Sequence, residues 1–280
     1  MGLILGLIAA FLGAAKDVVS KRLSTSVDGT TSAFASFAYA IPHYLILLFV
    51  LWFLGLEDFA ISGMFWWYMI ARSVSDTGAE TCKMHALARG EISVVTALVS
   101  LHPVFMLFTS PLITGDPLTL RIIFGVCITV SGSLVILLNR SIQTSKSAIM
   151  FALMCALFFS INSCFDRLSV QSASAPFSAF TMTALAGVML LPTIFIGKRY
   201  KSLNSNTKPF LLRGFFEVIF MTTKLFALQY LQAPELSAIV RVQLLFAVIS
   251  GNVLFKEINF WRKFFGAVLT VTGIAIILLK

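Results

Sequence analysis

Charge is what this chain has least of. Asp, Glu, Lys and Arg make up 12% of its 280 residues, about half the share usual in a soluble domain. Hydrophobic residues make up 58%, and mean hydropathy is +0.93. No soluble core can hide that much apolar surface, so the chain reads as a polytopic membrane protein. Alternating ten-residue in/out segments are also missing. The apolar stretches run for roughly 18–25 residues, which makes the spans helices and not barrel strands.

Other absences narrow the function. There is no GxxxxGK[ST] loop, so nucleotide-driven transport would need a partner chain. The three histidines, His43, His85 and His102, fall on different spans without a matching Glu/Cys set. The four cysteines, Cys82, Cys127, Cys155 and Cys164, all fall inside spans and read as buried thiols. No metal, cofactor, nucleophile–base pair or disulfide framework is therefore expected, and the chain is read as not an enzyme. Met1-Gly2 enters an apolar helix with no basic leader or small-residue cleavage site, which predicts a first span that is retained.

Ten spans are predicted, at about 2–22, 34–54, 64–88, 92–113, 121–138, 148–167, 177–196, 209–231, 235–254 and 262–279. The third carries Arg72, Asp76, Glu80 and Lys83. At roughly 100° per residue these four fall within about 80° of one another, a charged stripe turned away from lipid. A charge near the bilayer centre costs about 2.5–3.5 kcal/mol, so the stripe needs partners, water or a ligand. Snorkelling of the arginines and intrahelical i,i+4 ion pairs are the structural alternatives.

The device recurs. The eighth span places Arg213, Glu217 and Lys224 141 residues after Arg72, Asp76 and Lys83. The same register pairs His102 with Gln243, Asp116 with Glu257, Gly125 with Gly266 and Gly132 with Gly273. An Arg-Leu-Ser repeat at 22–24 and 167–169 aligns the first and sixth spans. Charges and glycines match as well as apolar residues, which shared hydrophobicity does not explain. Five spans per copy is an odd number, so the second copy crosses the membrane in the opposite sense. The fold class is then an all-α membrane protein of ten transmembrane helices in two inverted five-helix repeats, residues 1–140 and 141–280. Inverted repeats put the site near the midplane between the halves. The paired glycines of spans five and ten read as helix packing, and His102-Pro103 marks span four as the most bent.

The phrase Ser100-Leu101-His102-Pro103-Val104-Phe105, the segment Thr114-Gly115-Asp116-Pro117-Leu118 with Gly125 and Gly132, and Phe255-Lys256-Glu257 with Gly266 and Gly273 resemble the EamA family of the drug/metabolite transporter superfamily. The resemblance covers essentially the whole chain and implies a fold and a transporter class, with both termini cytoplasmic, but no substrate. Leu244 stands where the second half would carry the proline, predicting a straighter span nine. The dense charge on spans three and eight departs from members that handle neutral or hydrophobic solutes.

Candidate substrate-binding residues are Arg72, Lys83, Arg213, Lys224, Arg241, His102 and Gln243, in a cavity lined by spans three, four, eight and nine. Candidate ion-coupling residues are Asp76, Glu80, Glu217 and Asp17. Glu80 stands out because its mate is Met221. Within the spans six cations, counting Lys16, face four of these acids, an excess of +2 that suits a carboxylate or phosphate. The expected function is secondary transport, as antiport or symport, of a small organic metabolite, anionic or zwitterionic, amino acid-like or phosphorylated, by alternating access. A lipid or lipid-linked-carrier flippase on the same fold is the alternative. Expected partners are the small-molecule substrate, protons or a counter-substrate, and the lipid bilayer, with no nucleic acid. The chain would act as a monomer or homodimer in the bacterial inner membrane.

The loops joining spans 1–2, 3–4, 5–6, 7–8 and 9–10 hold twelve Lys and Arg residues, against Arg121 and Arg167 in the others. That asymmetry predicts the basic loops inside and both termini outside, against the resemblance.

Overall fold

The computed structural model describes residues 1–24, 27–115, 119–137, 144–197, 203, 207–231, 236 and 239–278. Asp116, Pro117 and Leu118 of the family-like segment, Arg140, Lys198, Arg199 and Lys201 among the basic loop residues, and Glu235 at the expected start of span nine lie outside the described residues. Among the described residues there is no strand, only an isolated bridge between Ile61 and Ala173.

The helices are α1 (Gly2–Leu23), α2 (Gly29–Ala38), α3 (Ile41–Phe53), α4 (Phe65–Arg89), α5 (Ile92–Val99), α6 (His102–Ile113), α7 (Leu120–Leu137), α8 (Lys146–Val170), α9 (Ala175–Ile196), α10 (Thr207–Ala227), α11 (Gln243–Phe255) and α12 (Phe260–Leu278). α2 with α3 makes span two, α5 with α6 makes span four, and α11 continues the helical residues 239–240 as span nine, giving ten transmembrane helices in two inverted sets of five. Among the described residues, five of these spans are long and apolar enough to cross a membrane by length and composition alone. α4 and α10 are excluded from that set by the charges they carry.

Local chemistry fixes several ends. Asp28 caps α2 by accepting from Thr30 N and Thr31 N at 3.0 and 3.2 Å, and Ser145 and Ser174 cap α8 and α9. Span two begins five residues earlier than expected, and it breaks at Tyr39–Ala40 before Pro42. Gly214 of α10 packs into that break, where a Cβ would lie 2.6 Å from the Tyr39 carbonyl carbon. The Tyr39 carbonyl oxygen bonds His43 Nδ1 at 3.0 Å.

Span nine corrects an expectation. The missing proline does not spare it a break: spans four and nine are interrupted at equivalent places, Ser100–Leu101 and Arg241–Val242. Leu101 N donates to Leu98 O and Val104 N to Leu101 O, and the mates Val242 N to Ile239 O and Leu245 N to Val242 O do the same, all at 2.9–3.1 Å. Each is the tighter three-residue bond. Where Pro103 has no donor, Leu244 N spends its own on Arg241 O at 2.9 Å.

Packing respects the repeat. α4 against α8 is matched by α10 against α1, α4 against α9 by α10 against α2, and α6 against α8 by α11 against α1. α7 packs on its own mate α12 through glycine: a Cβ on Gly273 would lie 2.7 Å from Gly125 O, and one on Gly132 2.6 Å from Gly266 O. Thr129 and Thr270, also mates, fold their hydroxyls back onto Gly125 O and Gly266 O at 2.9 Å. Cys82, Cys155 and Cys164 are buried as expected, whereas Cys127 is exposed on α7.

Candidate functional site

The charged stripes of α4 and α10 face each other across the middle of the bundle, and every residue of both is paired. Arg72 donates through Nε to Asp166 at 2.6 Å and pairs through Nη1 with Asp76 at 2.9 Å. Asp166 takes Lys224 on its other oxygen at 2.6 Å. Asn162 Nδ2 donates to Asp76 at 3.0 Å, and Ser75 donates to the Asn162 side-chain oxygen. Arg213 pairs with Glu217 at 2.9 Å and with Glu80, and donates to Ser20 Oγ at 3.2 Å. Lys16 reaches Glu217 at 3.1 Å and lies 4.2 Å above the Phe220 ring. Lys83 is bound to Asp17, whose second oxygen accepts from Gln243 Nε2 at 3.3 Å.

These are not snorkelling side chains. Arg72 and Arg213 are 2% and 0% exposed, and Asp17 is a buried partner rather than a solvated helix end. Ionised groups survive such burial only when their partners meet them with good geometry. Each arginine meets two carboxylates, its own i,i+4 acid and one from the opposite half. The acids recruited across the halves, Asp166 and Glu80, are not mates in the repeat.

Asp166 is the residue the sequence reading missed. The predicted sixth span stopped one residue beyond it, so it read as part of a helix end, whereas α8 continues to Val170 and carries Asp166 fully buried. Its inclusion changes the balance. Lys16, Arg72, Lys83, Arg213, Lys224 and Arg241 now face Asp17, Asp76, Glu80, Asp166 and Glu217, an excess of +1 rather than +2.

A cavity of about 60 Å³, the space open to the centres of water-sized molecules, lies against this network. Of the candidates, Asp17, Arg72, Asp76, Glu80, Lys83, Glu217, Lys224, Arg241 and Gln243 line it. Arg213 and His102 do not: both lie behind its wall, with no exposed surface, and neither ring nitrogen of His102 has a hydrogen-bond partner. The lining draws on more spans than three, four, eight and nine. α1 supplies Lys16 and Asp17, α2 supplies Phe37, and α8 supplies Phe159 and Ser163. Phe37, Phe159, Phe220 and Met221 make the apolar side. His85 stays outside, stacked on Phe151 and bonded to Thr30.

Chemically, this is a small amphipathic chamber whose cations are held in place by the protein's own carboxylates. An incoming carboxylate or phosphate could exchange for one of them without any charge being moved from water into an empty apolar site. Among the described residues no group of His, Cys, Asp and Glu is disposed to hold a metal.

A family model for the EamA-like transporter family matches residues 1–138 and 146–279. No curated protein matches the chain. Among solved structures 27 chains match; one crystal structure aligns over 97% of this chain and 98% of its own, with a TM-score of 0.65 and 12% identity. At that identity the likeness speaks for the fold alone.

Proposed function

The chain belongs to the EamA-like transporter family, and from that premise we propose that it is a secondary transporter moving a small anionic or zwitterionic metabolite, amino acid-like or phosphorylated, by alternating access. It is a multi-pass integral membrane protein of the drug/metabolite transporter type; the bacterial inner membrane is our proposed location. The two halves that rock are taken as 1–140 and 141–280.

The observation that carries the reading is the cavity between the halves, lined by four cations and four acids of the two stripes and their neighbours, with Arg241 in addition. Lys83, Lys224, Arg241 and Gln243 are proposed to bind the substrate's anionic group. Arg72 and Arg213, each paired with two carboxylates, are proposed to position that site from its edge and from behind it. Asp76, Glu80 and Glu217 are proposed to couple transport to protons or a counter-substrate.

A thermal-shift screen of the purified protein against amino acids, phosphorylated sugars, nucleotides and polyamines tests the class. A ligand at 100 times its dissociation constant stabilises the folded state by about 2.7 kcal/mol. Stabilisation by polyamines alone would overturn the anionic assignment.

A further inference from the structure

A second set of buried charges lies at the end of the bundle that carries the 90–91 and 256–259 turns, away from the cavity. α5 has no cap of its own, because the Glu91 side chain bonds none of its first amides. Glu257, from the other half, fills the position. Its Oε1 accepts from Ile92 N at 2.7 Å, while Oε2 accepts from Ser93 Oγ and from Lys263 Nζ at 3.1 Å. Lys263 also binds Glu91 at 2.6 Å, so the acids of the two turns share one buried cation. Lys21 of α1 donates to Leu87 O and Gly90 O at 2.6 Å and closes the end of α4 beside it.

The backbone is shaped to aim Glu257 inward. Lys256 and Asn259 on either side are non-glycine residues at φ 54° and 60°, and Glu257 N donates to Gly251 O at 2.9 Å. Two left-handed residues so close together are a cost that the surrounding contacts must hold in place. Gly251 leaves the carboxylate its space, for a Cβ there would lie 2.5 Å from Oε2.

The repeat does not keep this set of residues in sequence. The mates of Glu91, Ser93, Lys263 and Glu257 are Gln232, Pro234, Ile122 and Asp116. The acid is kept. The shared cation, its second acid and the donor hydroxyl are gone.

We propose that Glu257 is the bolt of a gate: it locks the turn between α11 and α12 onto the start of α5, so that this end is the one closed at rest and opens only when the cap is released. The inference rests on the alternating-access reading for its purpose, but its test needs no substrate and stands or falls separately.

The test is thiol labelling of detergent-purified full-length protein by a charged maleimide, in a background from which the exposed Cys127 has been removed. The probe is Ile92→Cys, which keeps the capped amide and replaces a side chain with no exposed surface. The control probe is Tyr230→Cys, exposed beyond α10 at the other end. Three unlatching changes are compared: Glu257→Gln, the milder Ser93→Ala, and Gly251→Ala, which displaces the carboxylate while leaving every charge and donor in place. The expected result is at least tenfold faster labelling of Ile92→Cys in Glu257→Gln and Gly251→Ala, a smaller rise in Ser93→Ala, and an unchanged rate at Tyr230→Cys. Equal acceleration at both probes would mean general loosening, and no acceleration at Ile92→Cys would mean a static cap; either overturns the gate.

Discussion

Arg72 and Asp166 belong to opposite halves of the chain, and Arg72 Nε donates to Asp166 Oδ1 at 2.6 Å inside the bundle. The same carboxylate holds Lys224, so one buried acid ties α4, α8 and α10 together. Removing it would take Lys224's carboxylate away and leave Arg72 with Asp76 alone. Asp166→Asn is expected to destabilise the protein by about 3–5 kcal/mol, the range for breaking a buried pair from one side. Reversible unfolding in mixed detergent micelles measures this. A variant as stable as the parent would mean that water or another acid replaces the carboxylate.

Lys83 and Lys224 are the matched cations that line the cavity. Asp166 keeps Arg72 when Lys224 is removed, and Asp17 keeps its hydrogen bond from Gln243 when Lys83 is removed. Lys83→Ala and Lys224→Ala are therefore expected to insert and fold while transport falls to background. If both variants transport normally in proteoliposomes, the stripe is scaffolding and the site lies elsewhere.

Coupling is assigned to the acids that face the cavity. Asp76 is held by Arg72 and Asn162, and Glu80 by Arg213, so each acid's charge is tied to a cation that alternating access would have to carry with it. In a Glu80→Gln, Asp76→Asn double variant, residual transport is expected to ignore an imposed pH gradient. A response equal to the parent's would remove both from the coupling path.

The contact between α7 and α12 offers a stability test remote from the site. On Gly273 a Cβ would meet Thr129 N at 2.5 Å and Gly125 O at 2.7 Å, and backbone cannot rotate out of the way. Gly273→Ala should cost about 1–3 kcal/mol by overpacking, despite alanine's better helix propensity. An unchanged melting temperature would show that the two helices separate freely.

The sequence made legible whatever an apolar helix cannot conceal. Arg72, Lys83, Arg213 and Lys224 stand out because charge in a span is expensive, and their common register exposes the repeat. Residue spacing even gives the i,i+4 pairs Arg72–Asp76 and Arg213–Glu217. What it does not give is the choice of partner across the halves. Asp166 bonds Arg72 and not its own helix neighbours, and no one-dimensional pattern relates residues 94 positions apart on unmatched sites. Span nine was obscure for a different reason. Reading proline as the cause of a break finds span four and passes over Arg241–Val242, where the same tight turn forms with Leu244's amide still employed.

Orientation is the last expectation, and here the basic residues oppose the family resemblance. The structure brings several of the basic loops to one end: Lys21, Arg89 and Lys256 line a single cleft with Glu91 and Glu257. At the opposite end the turns at 57–62 and 172–174 are joined, with Ser174 Oγ donating to Glu57 at 2.5 Å and Ser62 N to Ser172 O at 2.8 Å. Two of the twelve cations spend their charge inside the protein, Lys21 on backbone carbonyls and Lys263 on two acids. Setting them aside leaves ten against two, still a strong bias. Lys and Arg in short loops are retained in the cytoplasm, and acids weigh little in that choice. The end bearing the Glu257 gate should therefore face the cytoplasm and the residue after Lys280 the outside. A phosphatase active only outside the cytoplasm, fused after Lys280, is expected to be active, and a fluorescent protein that matures only inside is expected to be dark. The opposite pair of signals would mean that the resemblance, with cytoplasmic termini, predicts topology better than the charges do, and that the Glu257 gate closes the outer side.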